Sequence, residues 1–324
     1  MATTRNSMNR KFGVEFEVGN EVSQEHISNI IKCNSVKEVI VSSGWAPTID
    51  NKYWHVKYDR TCGSIGQIKN EHGKSKYADH GWEIASFVAS NENDLNHIAF
   101  IGKKLAEGDC LVNPNCGFHI HCNVDDFTGR DMGVLLARWI KIEPMLCNLM
   151  PNHRVDNYFC RLLSKSRKIA KGKKHMPEDV WQKLKPTQYG PHENRQKKVT
   201  LNTVNVAAAY AYENSFYPFD PPSYLSIRKT VEFRMPEGSL NSEAVFAWVR
   251  FFLRFVEMSK KSKMPDNLLP IKKIKEFFTY CGLSNVAIKN DDNMGLFDTK
   301  LFLIERLFLF ADEETKKQFE KGLF

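Results

Sequence analysis

Two short runs hold the residue types that could do chemistry. In Phe12-Gly13-Val14-Glu15-Phe16-Glu17-Val18, apolar residues alternate with Gly13, Glu15 and Glu17, the period of a β-strand half buried on one face. Glu15 and Glu17 therefore leave the strand on the same side. Like charges that close raise each other's pKa unless something positive lies between them. The natural occupant is a hard divalent cation, which prefers carboxylate oxygens. In the run from Asn115 to Val124, Phe118, Ile120, Cys122 and Val124 alternate with His119, His121 and Asn123. A second strand thus presents two imidazoles, which ligate metals when neutral and contact phosphate or carboxylate when protonated.

Three more segments carry charge among apolar residues. Gly81 to Val88 is a short apolar strand with one acid, Glu83. In Thr230 to Asn241, Val231, Phe233 and Met235 alternate with Glu232 and Arg234, so an acid and a guanidinium share a face. Beside phosphate, arginine is the donor that stabilises transferred charge. Tyr53 to Asp59 reads as a strand ending on Asp59, before a glycine- and charge-rich loop from Arg60 to Lys76. Each segment alone is also what a solvent-facing strand edge shows, and Asp59 alone suits a turn. Four strands repeating the choice imply one sheet whose concave polar face holds several metal ligands.

Helices must flank these strands. Ser23 to Asn34 has an N-cap candidate and Ile27, Ile30 and Ile31 at helical spacing. Asp94 to Gly108 puts Leu95, Ile98, Ile101 and Leu105 on one stripe, with Gly108 as its stop. Gly133 to Met150 is apolar and helical, with Pro144 expected to kink or end it near Glu143. Val199 to Ala209 returns to strand-like sequence around Asn202 and Asn205, and Tyr210 to Tyr224 is an aromatic, proline-rich loop. Ser242 to Met258 is a strongly amphipathic helix, and Ile271 to Cys281 and Thr299 to Phe310 extend the helical pattern.

The chain of 324 residues, 42% hydrophobic and 26% charged, reads as globular rather than disordered. No apolar run is long enough to cross a bilayer and Met1 to Arg10 has no signal-peptide core, so a cytoplasmic protein without a membrane role is expected. The eight cysteines form no C-x-x-C pair and read as reduced, mostly buried thiols. A net charge of +8 suits an anionic ligand such as a nucleotide or nucleic acid. Much of the excess lies in a basic stretch from Ser164 to Lys198, which includes Lys165, Lys168, Lys185, Arg195 and Lys197 and has helical periodicity only over Pro177 to Leu184. It reads as a solvated insertion, an anion-attracting flap or a nucleic-acid contact.

The order G-x-E-x-E, E-I-x-S, C-G-x-H-x-H and V-E-F-R-x-x-x-G-S-L-N resembles the amidoligase family, carboxylate–amine ligases similar in catalytic core to glutamine synthetase and glutamate–cysteine ligase. The resemblance spans roughly Phe12 to Met258. It implies an α+β fold with a curved, mainly antiparallel sheet and helices on the convex face. Residues 1–260 would form the catalytic domain, with the basic insertion at about 164–198, and 261–324 a helical extension packed on it. Glu15, Glu17, Glu83, His119 and Glu232 would be metal ligands. His119, Glu232 and Arg234 would contact the nucleotide, and Arg234, His121 and Asp59 would be catalytic. ATP and two or more Mg2+ ions are the implied cofactors. The reaction would join a carboxylate and an amine of unknown identity through an acyl-phosphate, with a protein or peptide acceptor possible. The sequence after Asp59, Arg60-Thr61-Cys62-Gly63-Ser64, departs from the family's D-G-S. Two other readings stand beside this one: an ATP-dependent kinase on the same fold, and a non-enzymatic nucleic-acid-binding protein using the basic segment. The glycine-rich phosphate loop ending in Gly-Lys-Ser/Thr is absent.

Overall fold

The computed structural model describes residues 10–19, 22–42, 52–63, 68–69, 75–76, 81–158, 160–186, 198–213, 229–284 and 291–323. The chain forms two compact units. The first is Lys11–His121 with Pro236–Phe246, and the second is Met1–Arg10, Cys122–Met235 and Ala247–Phe324.

In the first unit the elements run β1 (Phe12–Val18), α1 (Gln24–Asn34), β2 (Val39–Ser42), β3 (Trp54–Tyr58), the short pair β4 (Ile68–Lys69) and β5 (Ser75–Lys76), β6 (Trp82–Ala85), α2 (Glu92–Glu107) and β7 (Phe118–Asn123), whose last two residues belong to the second unit. The strands neighbour one another in the order β2-β3-β6-β1-β7. The register sets Glu17 opposite Glu83 and Glu83 opposite Lys57. The apolar alternation of β1 works as its period requires: Phe12, Val14, Phe16 and Val18 are all buried. Phe16 stacks on Phe118 of β7, ring centroids 5.3 Å apart. Burial of side chains of this size contributes about 1.5–3 kcal/mol each. Ser23 caps α1 by accepting the His26 N–H at 3.1 Å, and Asn91 caps α2 by accepting that of Asp94 at 3.0 Å. The stripe Leu95, Ile98, Ile101 and Leu105 is the buried face of α2.

The α+β class follows from these elements, but the sheet is mixed rather than mainly antiparallel. β2 pairs parallel with β3, while β3 with β6 and β6 with β1 are antiparallel. A parallel pair needs a connection long enough to return to the same end of the sheet, and the stretch 43–53 supplies the length.

The second unit holds α3 (Gly129–Cys147), α4 (Pro177–Leu184), β8 (Leu201–Asn202), α5 (Val204–Glu213), β9 (Thr230–Phe233), most of α6 (Ser242–Lys261), α7 (Ile274–Tyr280), α8 (Asp291–Phe310) and α9 (Glu313–Leu323). Thr128 and Asp131 form a reciprocal capping box at the start of α3. Pro144 does not end this helix, which runs on to Cys147. Buried apolar residues on several sides hold it, so packing outweighs the lost backbone bond. Its Trp139 packs 5.2 Å from Phe233 of β9, which in turn stacks on Phe252 of α6 at 4.3 Å. α3 also carries Gly133, where a Cβ would come within 1.8 Å of the Pro177 carbonyl oxygen. Only glycine lets α4 lie this close.

The strand expected over Val199 to Ala209 is reduced to β8. Asn202 Oδ1 accepts the Val204 N–H at 3.0 Å, and the chain turns into α5. The alanines at 207 to 209 favour that helix once the chain has turned. α4 coincides with the periodic part of the basic stretch. The expectations placed on 187–197, including Arg195 and Lys197, and on 214–228 lie outside the described residues. No helix among the described residues is long and apolar enough to cross a membrane. The eight cysteines are free, and all but Cys33 and Cys147 are buried.

Candidate active site

The first unit brings most of the expected acids together. β1 directs Glu15 and Glu17 to one side, and β7 beside it supplies the imidazoles. His121 Nε2 lies 3.0 Å from Glu15 Oε1. His119 Nδ1 lies 3.2 Å from Glu15 Oε2, and its Nε2 3.5 Å from Glu17 Oε1. Both nitrogens of one ring thus face carboxylates. Glu17 also accepts the Gly117 N–H, so the glycine of C-G-x-H-x-H supplies a backbone donor to the acid of G-x-E-x-E. Burial pushes the Glu15 carboxyl up, but the charge and hydrogen bonds of His121 and His119 outweigh it and hold it well below the usual carboxylate range.

Glu83 of β6 is held by Lys57 Nζ at 2.7 Å. Burial, with the charge of Glu15 adding to it, pushes the Glu83 carboxyl up to about 7 despite that lysine. Burial lowers Lys57, but the charges of Glu83, Glu15 and Asp59 raise it overall. Lys57 was not singled out from sequence. The signal lies in the alternation of β3, where Lys57 follows His55 at period two and is half-buried between the buried Val56 and the exposed Tyr58.

Asp59 comes beside Glu17, with ligand atoms of Glu17, Asp59 and Cys62 all within 4.8 Å of one another. Its Oδ1 accepts the Thr61 N–H and hydroxyl, each at 2.7 Å. The following loop is tied down by Asn113 Nδ2 to the Cys62 carbonyl at 2.9 Å and Asn115 Nδ2 to the Gly63 carbonyl at 3.0 Å. The change from D-G-S therefore leaves the aspartate placed. Cys62 is a poor partner for a hard cation, because its hydrogen bond with Cys116 and its burial push the thiol far up and keep it neutral. Ser86, the serine of E-I-x-S, bonds backbone instead: its hydroxyl oxygen accepts the Val14 N–H at 3.0 Å and joins β6 to β1.

Glu232 and Arg234 lie in the second unit, where they bond each other. Asn202 Nδ2 donates to Glu232 Oε2 at 2.6 Å, and the Arg234 N–H donates to the Thr200 carbonyl at 3.0 Å. The Arg234 carbonyl accepts from Arg154 Nη2 at 2.8 Å. Arg154 is itself buried, a second guanidinium beside the motif that the sequence did not mark.

With this geometry in place, the comparison with family models decides the affiliation. The model described as "Putative amidoligase enzyme" matches residues 8–256. The chain belongs to the amidoligase family. The matched span contains the four segments that place Glu15 and Glu17, Glu83, His119 and His121, and Glu232 and Arg234. No curated protein matches this amidoligase-family chain. Among solved structures, it is similar to one described as the complex between the prokaryotic ubiquitin-like protein Pup and its ligase PafA, at 11% identity and a TM-score of 0.28. That match covers 93% of this chain and 57% of the other.

The residues of the first unit fit a divalent cation. Carboxylate oxygens and imidazole nitrogens are suitable donors for magnesium or manganese. A cation among these crowded acids would take over charge that His119, His121 and Lys57 now compensate.

Proposed function

We propose that the protein is an ATP- and magnesium-dependent carboxylate–amine ligase with a glutamine synthetase-like core in residues 1–260, extended by 261–324. The observation that carries the reading is the cluster of Glu15, Glu17, Asp59 and Glu83 with His119 and His121 on adjoining strands of one unit. It coincides with the motifs of an amidoligase family. In this reading Glu15, Glu17, Glu83, His119 and Glu232 hold two or more magnesium ions, which would neutralise the charge of the transferred phosphoryl group. The roles of Glu232 and Arg234 rest on the motif order.

A substrate carboxylate oxygen would take the γ-phosphoryl group of ATP, releasing ADP and giving an acyl-phosphate. The amine nitrogen would then form the C–N bond while the C–O bond to phosphate breaks. Arg234 would bind the transferred phosphoryl oxygens. His119 would bind on the phosphate side. Asp59, oriented by Thr61, and His121, oriented by Glu15, are the groups assigned to take the proton the amine must lose. No protein nucleophile is needed.

Thermal stability with and without magnesium and a non-hydrolysable ATP analogue tests this without knowledge of the substrate. Ligand at a hundred times its dissociation constant adds about 2.7 kcal/mol, a rise in Tm of at least a few degrees. A magnesium-dependent rise in wild type that Glu17→Gln lacks is the expected result, followed by ADP release in a screen of carboxylate–amine pairs. An equal rise in both proteins would remove the assignment of Glu17.

A further inference from the structure

A cavity of about 460 Å³ lies in the second unit, lined by residues of the basic stretch together with the segments before and after it. Its lining includes Arg161, Lys165, Lys168 and Lys185, against one acid, Asp156, among the described residues. Beneath these cations the lining is apolar: Leu136 and Leu201 are each 1% exposed, and Leu163 and Leu184 complete that surface. Lys165 bonds Asp156 at 2.5 Å, which neutralises one of the four cations. The volume falls in the range of small-molecule and peptide-end sites, about 300–1,000 Å³. It is too large for a single ion.

The chemistry of the walls narrows the occupant. Cations at an exposed rim over an apolar floor fit a chain that alternates methylene stems with carboxylates. Among the described lining residues none is aromatic, so the stacking platform on which single-stranded nucleic acid rests is missing. The cavity wall is also fastened to the segment that carries Arg234. Arg161 and Val199 line the cavity and form a parallel bridge, the Thr200 N–H donates to the Arg161 carbonyl at 3.1 Å, and the Thr200 carbonyl accepts the Arg234 N–H at 3.0 Å. Cys160 Sγ donates to the Arg234 carbonyl at 3.4 Å.

We infer that this cavity binds an acidic peptide segment and that such a segment is the carboxylate substrate of the proposed ligase; the second half rests on that reading. The basic insertion is then a recognition element for glutamate- or aspartate-rich chain.

The test measures binding of a fluorescein-labelled hexaglutamate peptide to the full chain by fluorescence anisotropy, with hexaglutamine as control. Wild type should bind hexaglutamate and not hexaglutamine. Lys168→Glu/Lys185→Glu should weaken binding at least tenfold, and the milder Lys168→Gln/Lys185→Gln, which guards against misfolding, at least threefold. No binding by wild type, unchanged affinity in both double variants, or equal competition by a single-stranded oligonucleotide of the same charge would overturn the site. The magnesium- and nucleotide-dependent rise in Tm, read on the same proteins, reports the ligase reading separately. Peptide binding lost while that rise persists is the expected pattern for the variants. Peptide binding without any nucleotide effect in wild type would overturn the substrate role.

Discussion

Buried carboxylates occur in both units, and their surroundings differ in kind. Glu143 of α3 is fully buried and accepts from four neutral donors: Trp139 Nε1, Thr200 Oγ1 and the N–H groups of Leu163 and Ser164. Those donors match the roughly four lone-pair sites of a carboxylate, so nothing remains for a ligand. Glu83 of β6 has one charged donor, Lys57, and stands opposite another acid, Glu17. Glu15 leans on two imidazoles. An acid saturated by fixed dipoles fastens the fold, whereas crowded acids such as Glu15 and Glu83, held by titratable partners, keep room for a cation. The contrast separates structure from function more sharply than burial does.

Breaking the saturated acid should have the largest effect. Glu143→Leu takes the acceptor from the Thr200 hydroxyl and the Leu163 and Ser164 N–H groups, while Trp139 Nε1 keeps Thr200 Oγ1 at 3.0 Å, and should destabilise the protein by about 3–5 kcal/mol in urea or thermal unfolding, with the midpoint of a magnesium titration unmoved. A variant as stable as wild type would show that the network is dispensable. Glu17→Gln should do the reverse, keeping the fold and losing the nucleotide-linked stabilisation of about 2.7 kcal/mol.

Glu83→Gln sharpens the comparison further. Removing one of the crowded charges should raise stability by about 1 kcal/mol or less, since Lys57 loses its partner at the same time, while magnesium binds more weakly. Stabilisation together with unchanged magnesium affinity would take Glu83 out of the ligand set.

The smallest expected effect is on pH dependence. Burial raises the Glu143 carboxyl above its usual 4.5, outweighing the bonds from Ser164 and Thr200. A raised folded-state value means that the folded protein holds the proton longer than the unfolded chain. The contribution of that proton is complete below about pH 4.5 and is lost as pH rises through the folded value. The stability of wild type relative to Glu143→Gln, which does not titrate there, should therefore fall as pH rises from 4 to 7. A difference independent of pH would contradict the assignment.

How much of this the sequence contains depends on the range of the interaction. β1, β7 and β9 follow from period-two alternation, and α1, α2 and α6 from caps and apolar stripes, because these signals are local. The helix end expected near Glu143 and the strand expected over 199–209 differ because neighbours decide them. α3 runs past Pro144 because its sides are packed, and 204–213 is helix after Asn202 Oδ1 turns the chain by accepting the Val204 N–H. In the site, alternation marks Glu15, Glu17, His119 and His121 with no partner known. Lys57 opposite Glu83, Asp59 beside Glu17 and Arg154 under Arg234 arise from register and loop closure, which no single stretch encodes.

The buried thiols add a practical consequence. Cys62, Cys110 and Cys116 lie in the first unit and Cys122, Cys160 and Cys281 in the second, all enclosed, with Cys33 exposed. A thiol reagent should modify Cys33 at once, the half-buried Cys147 more slowly, and the six enclosed thiols only during opening events. The labelling rate at each site then acts as a clock for local unfolding. Run with and without nucleotide, it would time the breathing of the acid cluster through Cys62 and Cys116, and that of the Glu143 region through Cys160, in one experiment on the unmodified chain.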